Sequence, residues 1–306
     1  MQIIASNLAF PEGPVVMPDG SIVVVEIAGG TVRRIQPGGA TSLVATVGGG
    51  PNGAALGPDG KLYICNNGGL QFIERDGVRR PIGAARDYDG GRIEVIDVET
   101  GRVERLYDRC GEHRLAGPND LVFDSSGGFW FTDSGKHHRR HSDHGGLYWA
   151  RTDGSEIREV LHPLASPNGV GLSPDGSVLY IADTASARLW AWDVVGPGQL
   201  AKAPYPAQMG GRLIGAAPGI TRFDSLAVSA SGKILVATIM NGGVAEFWPD
   251  GGTMRHHPLP DLHVTNLAFG GPDMRTAYIT FSQAGALVAL RWHEPGLALN
   301  DGRKSS

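Results

Sequence analysis

Apolar and polar positions alternate along this chain in short stretches, each closed by a cluster of Gly, Pro, Asp or Ser. This pattern predicts strands and turns rather than helices. Six segments share one template: PEGPVVMPDGSIVVVE, PNGAALGPDGKLYICN, PNDLVFDSSGGFWFTD, PNGVGLSPDGSVLYIA, FDSLAVSASGKILVAT and TNLAFGGPDMRTAYIT. Each has a polar residue in second place, a short apolar strand, a turn of the Pro-Asp-Gly or Ser/Gly kind, and a second, more apolar strand. The second-place residues are Glu12, Asn52, Asn119, Asn168, Asp224 and Asn266. Seven places on, Asp19, Asp59, Ser126, Asp175, Ser231 and Asp273 fall in the turns, so the phase holds throughout.

A third strand follows each pair, as in GGTVRRIQ, GGRIEVID and GGVAEFWPDG. Six units in 306 residues give a period of about 51, the signature of a four-stranded propeller blade. The fold class predicted is all-β, a six-bladed β-propeller of four-stranded antiparallel blades, with residues 1–306 as one domain. The start, MQIIASNL, is placed as the outer strand of the last blade, which closes the ring and hides a sheet edge. The stretch 195–220 reads as a long ordered connection that includes the outer strand of blade four.

Composition agrees. Gly (46) and Pro (20) are spread as turns, and 41% hydrophobic residues are ample for a core. The net charge of −4 without runs of one sign predicts no nucleic-acid partner. The apolar runs are too short to span a membrane, and the first residues, with Glu12 and Asp19 and no basic start, do not read as a signal peptide. Two cysteines are no disulfide framework. Cys65 reads as a core residue, and a reducing, cytoplasmic setting is expected.

The repeat carries the candidate chemistry. First strands of propeller blades line the central channel, so the six second-place residues, placed just before those strands, should gather at one mouth. They are two carboxylates and four amides, with Asp120 and Ser225 beside them and no Lys or Arg among them. A single Asn-Gly is good turn chemistry, but six copies in phase, including Glu12 and Asp224, exceed what turns require. Buried carboxylates without a counter-charge cost several kcal/mol, and a cation removes that cost. The oxygen-only donor set suits one divalent cation, Ca²⁺ first, with Mg²⁺ and Mn²⁺ as alternatives; Zn²⁺, though disfavoured without His or Cys, stays on the list.

Loops after the second strands should overhang this mouth. They begin near Glu26, Asn66, Asp133, Asp183, Met240 and Ser282. Two are long, 67–90 and 134–144, the latter with His137, His138, His141 and His144. We read that histidine cluster as a solvated basic loop at the rim rather than as a second metal site. Asp133 and Asp183 suit either turn stabilisation or substrate contact. His263 suits a structural hydrogen bond, and Trp130, Trp149, Trp190 and Trp192 suit packing between blades.

The PEGP opening and the PNDLVFDSSGGFWFTD, SPNG…SPDG…LYIADT and FDSLAV segments together resemble the senescence-marker-protein/gluconolactonase family. That family includes regucalcin-type gluconolactonases, diisopropyl fluorophosphatase and drug-responsive bacterial lactonases, and the motifs lie closest to the last. The resemblance implies metal ligands Glu12, Asn119, Asn168 and Asp224, catalytic roles for Asp224 and Asn119, and substrate contacts from Asn119, Asp120, Ser225 and Asn52. It implies a lactonase acting on a small molecule, with the cation polarising the carbonyl and Asp224 as general base. Regucalcin-type relatives carry an Arg two places before the residue equivalent to Asn119, where this chain has Gly117, so a sugar lactone is not expected. The rivals are an organophosphate triesterase on the same metal and a non-catalytic Ca²⁺-binding propeller.

Overall fold

A computed structural model describes residues 1–76, 78–202, 210–252 and 254–299. Every regular element among them is a strand; most form six antiparallel four-stranded blades around a central channel, and a few short strands pair outside that plan. Blade one comprises Pro11–Val16, Ile22–Glu26, Thr31–Ile35 and Thr41–Thr46. The inner strands of the next five are Pro51–Leu56, Pro118–Phe123, Pro167–Leu172, Arg222–Val228 and Val264–Gly270. The ring closes as the opening residues predict: Gln2–Ala5 pairs with Ala286–Arg291 and becomes the outer strand of blade six. Blade four takes its outer strand, Arg212–Ala216, from the long connection, of which residues 203–209 lie outside the described residues.

The turns are held as their side chains suggest. Asp19 accepts the Ser21 N–H, Asp59 that of Lys61, Asp175 that of Ser177 and Asp273 that of Arg275. Such Asx turns satisfy backbone donors where the ladder ends. In blade three Asp124 does this for Ser126, so the acceptor stands two residues earlier than the template places it.

Apolar side chains alternate between the two faces of each blade and pack against both neighbours. The result is six apolar clusters, one for each blade–blade contact. Trp130, Trp149 and Trp192 are fully buried with Trp190 against them, all between blades three and four. Cys65 is wholly buried in the wedge between blades two and three.

The 67–90 loop contains structure of its own, a hairpin of Leu70–Arg75 with Val78–Ala84. It is tied to the 134–144 loop: Ala84 donates to the His137 carbonyl, and the Lys136 ammonium donates to the Asn67 carbonyl and sits over the Tyr88 ring. Arg139, Arg140 and His141 are exposed as expected of a basic rim, but Lys136 is buried, and burial pulls its pKa down to about 7.

Candidate metal and active site at the channel mouth

In every blade the pairing between the first two strands slips at the start of the inner strand, at or next to the second-place residue. Glu12, Asn52, Asn119, Asn168, Asp224 and Asn266 therefore lie within the inner strands, not before them as the sequence suggested. A β-bulge re-aims a side chain and ends regular pairing. Repeated six times, it turns one polar side chain per blade to the same mouth.

The residue after each ring position explains the Asn-Gly pairs. A Cβ on Gly53 would lie 2.4 Å from the Asn119 carbonyl oxygen and 2.6 Å from Asp120 Cα. One on Gly169 would lie 2.5 Å from the Leu226 nitrogen. Neither glycine has a positive φ. They stand where two inner strands approach, so the pairs encode close passage of backbones around the channel rather than turns.

Contacts run around the ring. Asn266 Nδ2 donates to Glu12 Oε2 at 2.8 Å, and Gly13 N to the same oxygen at 2.6 Å. Thr132 Oγ1 donates to the Asn168 carbonyl, Asn168 Nδ2 to Thr184 Oγ1 at 3.1 Å, and Ser225 lies beside Asn168 Oδ1 at 3.5 Å. Glu12 and Asp120 are buried, whereas Asp224 keeps partial solvent access from the mouth. Burial holds the Glu12 carboxyl well above the usual range, and the Asp224 and Asp120 charges push it further; the Asn266 and Gly13 hydrogen bonds oppose this. Burial lifts Asp120 to about 7 and, with Asp120 adding to it, Asp224 to about 8. No Lys or Arg is among the groups that lower any of these three. Asn119 Oδ1 is buried without a hydrogen-bond partner. Three crowded carboxylates short of positive charge and an orphaned amide oxygen form a donor set that fits a hard cation.

The structure separates what the sequence left open. Asp133 accepts the Ala116, Gly117 and Gly135 N–H groups at 2.7–2.8 Å, and Asp183 those of Ser166 and Ser186. Both clasp the end of the second strand to the loop entering the first. Glu26 and Asn66 do the same through Ala9 and Gly50. His263 is structural, with its ring nitrogen 3.1 Å from Gln283 Oε1. In the 134–144 loop His138 stacks on His141 at 4.5 Å, and its Nε2 lies 3.7 Å from Asp143 Oδ2. Thr132, Thr184 and Asn266 as a support for Glu12 were not legible beforehand; the only hint was a hydroxyl or amide in a strand otherwise apolar.

Residues 10–283 match the SMP-30/gluconolactonase/LRE-like region. The chain belongs to that family. A gluconolactonase of Zymomonas mobilis is 27% identical over 217 residues, which is 63% of this chain and 55% of the relative, so the chain spans about half the length of that relative. The diisopropyl-fluorophosphatase of Loligo vulgaris is 26% identical over 71% of this chain and 73% of its own. Among solved structures, a gluconolactonase from Xanthomonas campestris superimposes with a TM-score of 0.73 over 94% of this chain and 88% of its own, at 22% identity. That likeness reports the shared propeller. Against the family pattern, the position of Gly117 has a structural reason: a Cβ there would lie 2.3 Å from the Gly135 carbonyl oxygen, so no larger side chain enters without moving the 134–144 loop.

Proposed function

We propose that the protein is a divalent-cation-dependent lactonase, on the strength of three carboxylates crowded without positive charge at the channel mouth, together with the orphaned amide oxygen of Asn119. Glu12, Asn119, Asn168 and Asp224 would hold the cation, with Ca²⁺ the best match to oxygen donors of this kind and Mg²⁺, Mn²⁺ and Zn²⁺ the order of trial after it. When bound, the cation supplies Lewis acidity toward an ester carbonyl and neutralises charge that develops on its oxygen.

The chain's own residues do the rest. Asp224, the ring carboxylate with solvent access, takes a proton from an attacking water. Asn119 orients the carbonyl, and Asp120, Ser225 and Asn52 line the approach. Asn266 keeps the Glu12 carboxylate turned inward. The two thiols, Cys65 buried and Cys110 half-buried, are free, which suits a reducing, cytoplasmic setting. No helix among the described residues is long and apolar enough to cross a membrane. We take 1–306 as one propeller domain.

The test is acid release from a panel of lactones by the purified protein, with elemental analysis alongside. Turnover that chelator abolishes and Ca²⁺ restores is expected; chelator-insensitive turnover, or none on any lactone, overturns the reading. Because a diisopropyl-fluorophosphatase is among the relatives, phosphotriester hydrolysis is the second reading, and a kcat/KM greater on phosphotriesters than on every lactone would establish it.

A further inference from the structure

The mouth is not uniform. Of the large hydrophobic side chains that the structure leaves exposed, Ile73, Ile82, Ile220, Met240 and Leu262 all belong to segments on the mouth side of the propeller. The rest are scattered over outer strands, strand ends and chain ends, where single exposed apolar residues need no explanation. Blade five and the strands beside it hold the densest part. Met240 (42% exposed) directly follows the second strand of blade five, and its N–H donates to the carbonyl of Leu262 (45% exposed) at 2.8 Å. Ile220 (71% exposed) adjoins Thr221, whose hydroxyl accepts from Asn241 Nδ2 at 2.9 Å.

Two observations tie this patch to the ring of carboxylates. Met240 has φ +78°, a conformation unfavourable for any residue but Gly and one that persists only where surrounding structure holds it. In four other blades the second strand ends in a carboxylate or amide that clasps the incoming loop. In blade five that place is taken by the buried Thr238, which meets His256 instead, and the chain leaves the strand through the exposed Met240, beside the strand that carries Asp224. The apolar line then continues. Leu262 precedes His263, whose ring meets Phe10 edge-on at 6.3 Å, and Phe10 meets Phe72 of the blade-two hairpin at 5.2 Å. Phe10 stands two residues before Glu12. Phe10 itself is buried, so the exposed apolar arc lies on blades five and six with Phe10 beneath it, while the blade-three rim opposite carries Arg139 and Arg140.

We propose that this arc is a substrate subsite, and that the lactone hydrolysed at the ring carries an apolar alkyl or aryl substituent lying along Met240, Leu262 and Ile220; this rests on the lactonase reading above. The basic blade-three rim suits the carboxylate that ring opening creates. The packed site of Gly117, which admits no guanidinium, removes the polar grip expected for a sugar lactone. Ring opening itself balances simply: water adds its oxygen to the carbonyl carbon, the ring C–O bond breaks, and the released alkoxide takes up a proton.

The experiment is a series of γ-lactones with unsubstituted, methyl, propyl and hexyl rings, together with gluconolactone, assayed at saturating Ca²⁺. A methylene buried fully is worth about fourfold in kcat/KM and one on a half-open wall about twofold. We expect kcat/KM to climb along the series, mostly through KM because the contact is equal in ground and transition states. Met240→Ser with Leu262→Ser should flatten the climb. Turnover with a flat series, or with gluconolactone preferred, overturns the subsite and leaves the lactonase reading standing. If no lactone turns over, that reading fails and the arc is tested alone, by calorimetric titration with butyrate, hexanoate and octanoate: affinity rising with length and lost in the double variant supports an apolar subsite, and no dependence on length overturns it. Flotation with zwitterionic vesicles that the double variant loses, beside a flat series, would make the arc a membrane-facing surface and overturn the proposal as well.

Discussion

Replacing Asp224 by Asn should make the metal-free protein more stable. In the fold its carboxyl keeps a proton to about 8, against an ordinary 3.8, because the surrounding protein strips away much of its water and the Asp120 charge adds to this. The unfolded chain loses that proton near its ordinary value. Between the two the folded state binds the extra proton, so stability falls as pH rises through this window. At about 1.4 kcal/mol per pH unit the ceiling is about 6 kcal/mol, reduced by whatever Glu12 and Asp120 relieve by holding protons themselves. Asn keeps the shape and an acceptor for Asn168 but has no charge to bury. We expect a gain of about 2–4 kcal/mol at about pH 8.5 in chelator, shrinking toward pH 5. For 306 residues that is about 3–6 °C in Tm. Cation should close most of this gap: wild type gains about 2.7 kcal/mol at a hundred times Kd, and the variant gains little. Differential scanning calorimetry at several pH values, with chelator and with Ca²⁺, reads both effects. An Asp224→Asn protein less stable than wild type in chelator at alkaline pH would refute the view that these carboxylates are uncompensated.

Gly53→Ala should cost more than about 2 kcal/mol in chemical denaturation and weaken calorimetric Ca²⁺ binding, because its methyl would displace the Asn119 backbone. Asn266→Ala should lower Ca²⁺ affinity several-fold with little loss of fold, since it frees Glu12 Oε2 from one of its two hydrogen bonds; unchanged affinity would show that Glu12 needs no such support. Trp149→Phe should cost about 1 kcal/mol of stability, for it deletes the indole N–H bond to Asp124 at 2.8 Å but keeps most of the wedge. Glu12→Gln should abolish the Ca²⁺-induced rise in Tm while the far-ultraviolet circular dichroism stays that of a β protein.

The six units, their ring residues and the closing strand were all legible in the sequence, because a repeat multiplies a weak local signal six times. The bulges were not. They depend on how two strands pair, and the template carries no mark of a slipped register, so the ring residues were placed one step too early. What the glycines of the Asn-Gly pairs do was hidden for a similar reason: Gly53 and Gly169 serve neighbouring backbones far off in the chain. Asp133 and Asp183 read equally well as substrate ligands until their carboxylates were seen filled by backbone N–H groups. The hairpin inside 67–90 was missed because its strands, with Arg75, Arg79 and Arg80, lack the apolar run that marks a blade.

Closure of the ring has a consequence for the order in which the protein is made. Gln2–Ala5 leaves the ribosome long before its partner strand, Ala286–Arg291. Until then the opening strand has no mate, and blade one offers Ile22, Val24 and Ile35 to a wedge that Leu287 and Tyr278 of blade six complete. Glu12 likewise waits for Asn266. The mouth is therefore finished in the same late step that seals the ring. A nascent chain arrested before blade six would be an open arc with two raw edges and a half-built ring of carboxylates and amides. Cation binding during synthesis would then report closure itself, and arrest at successive lengths would show it arriving all at once.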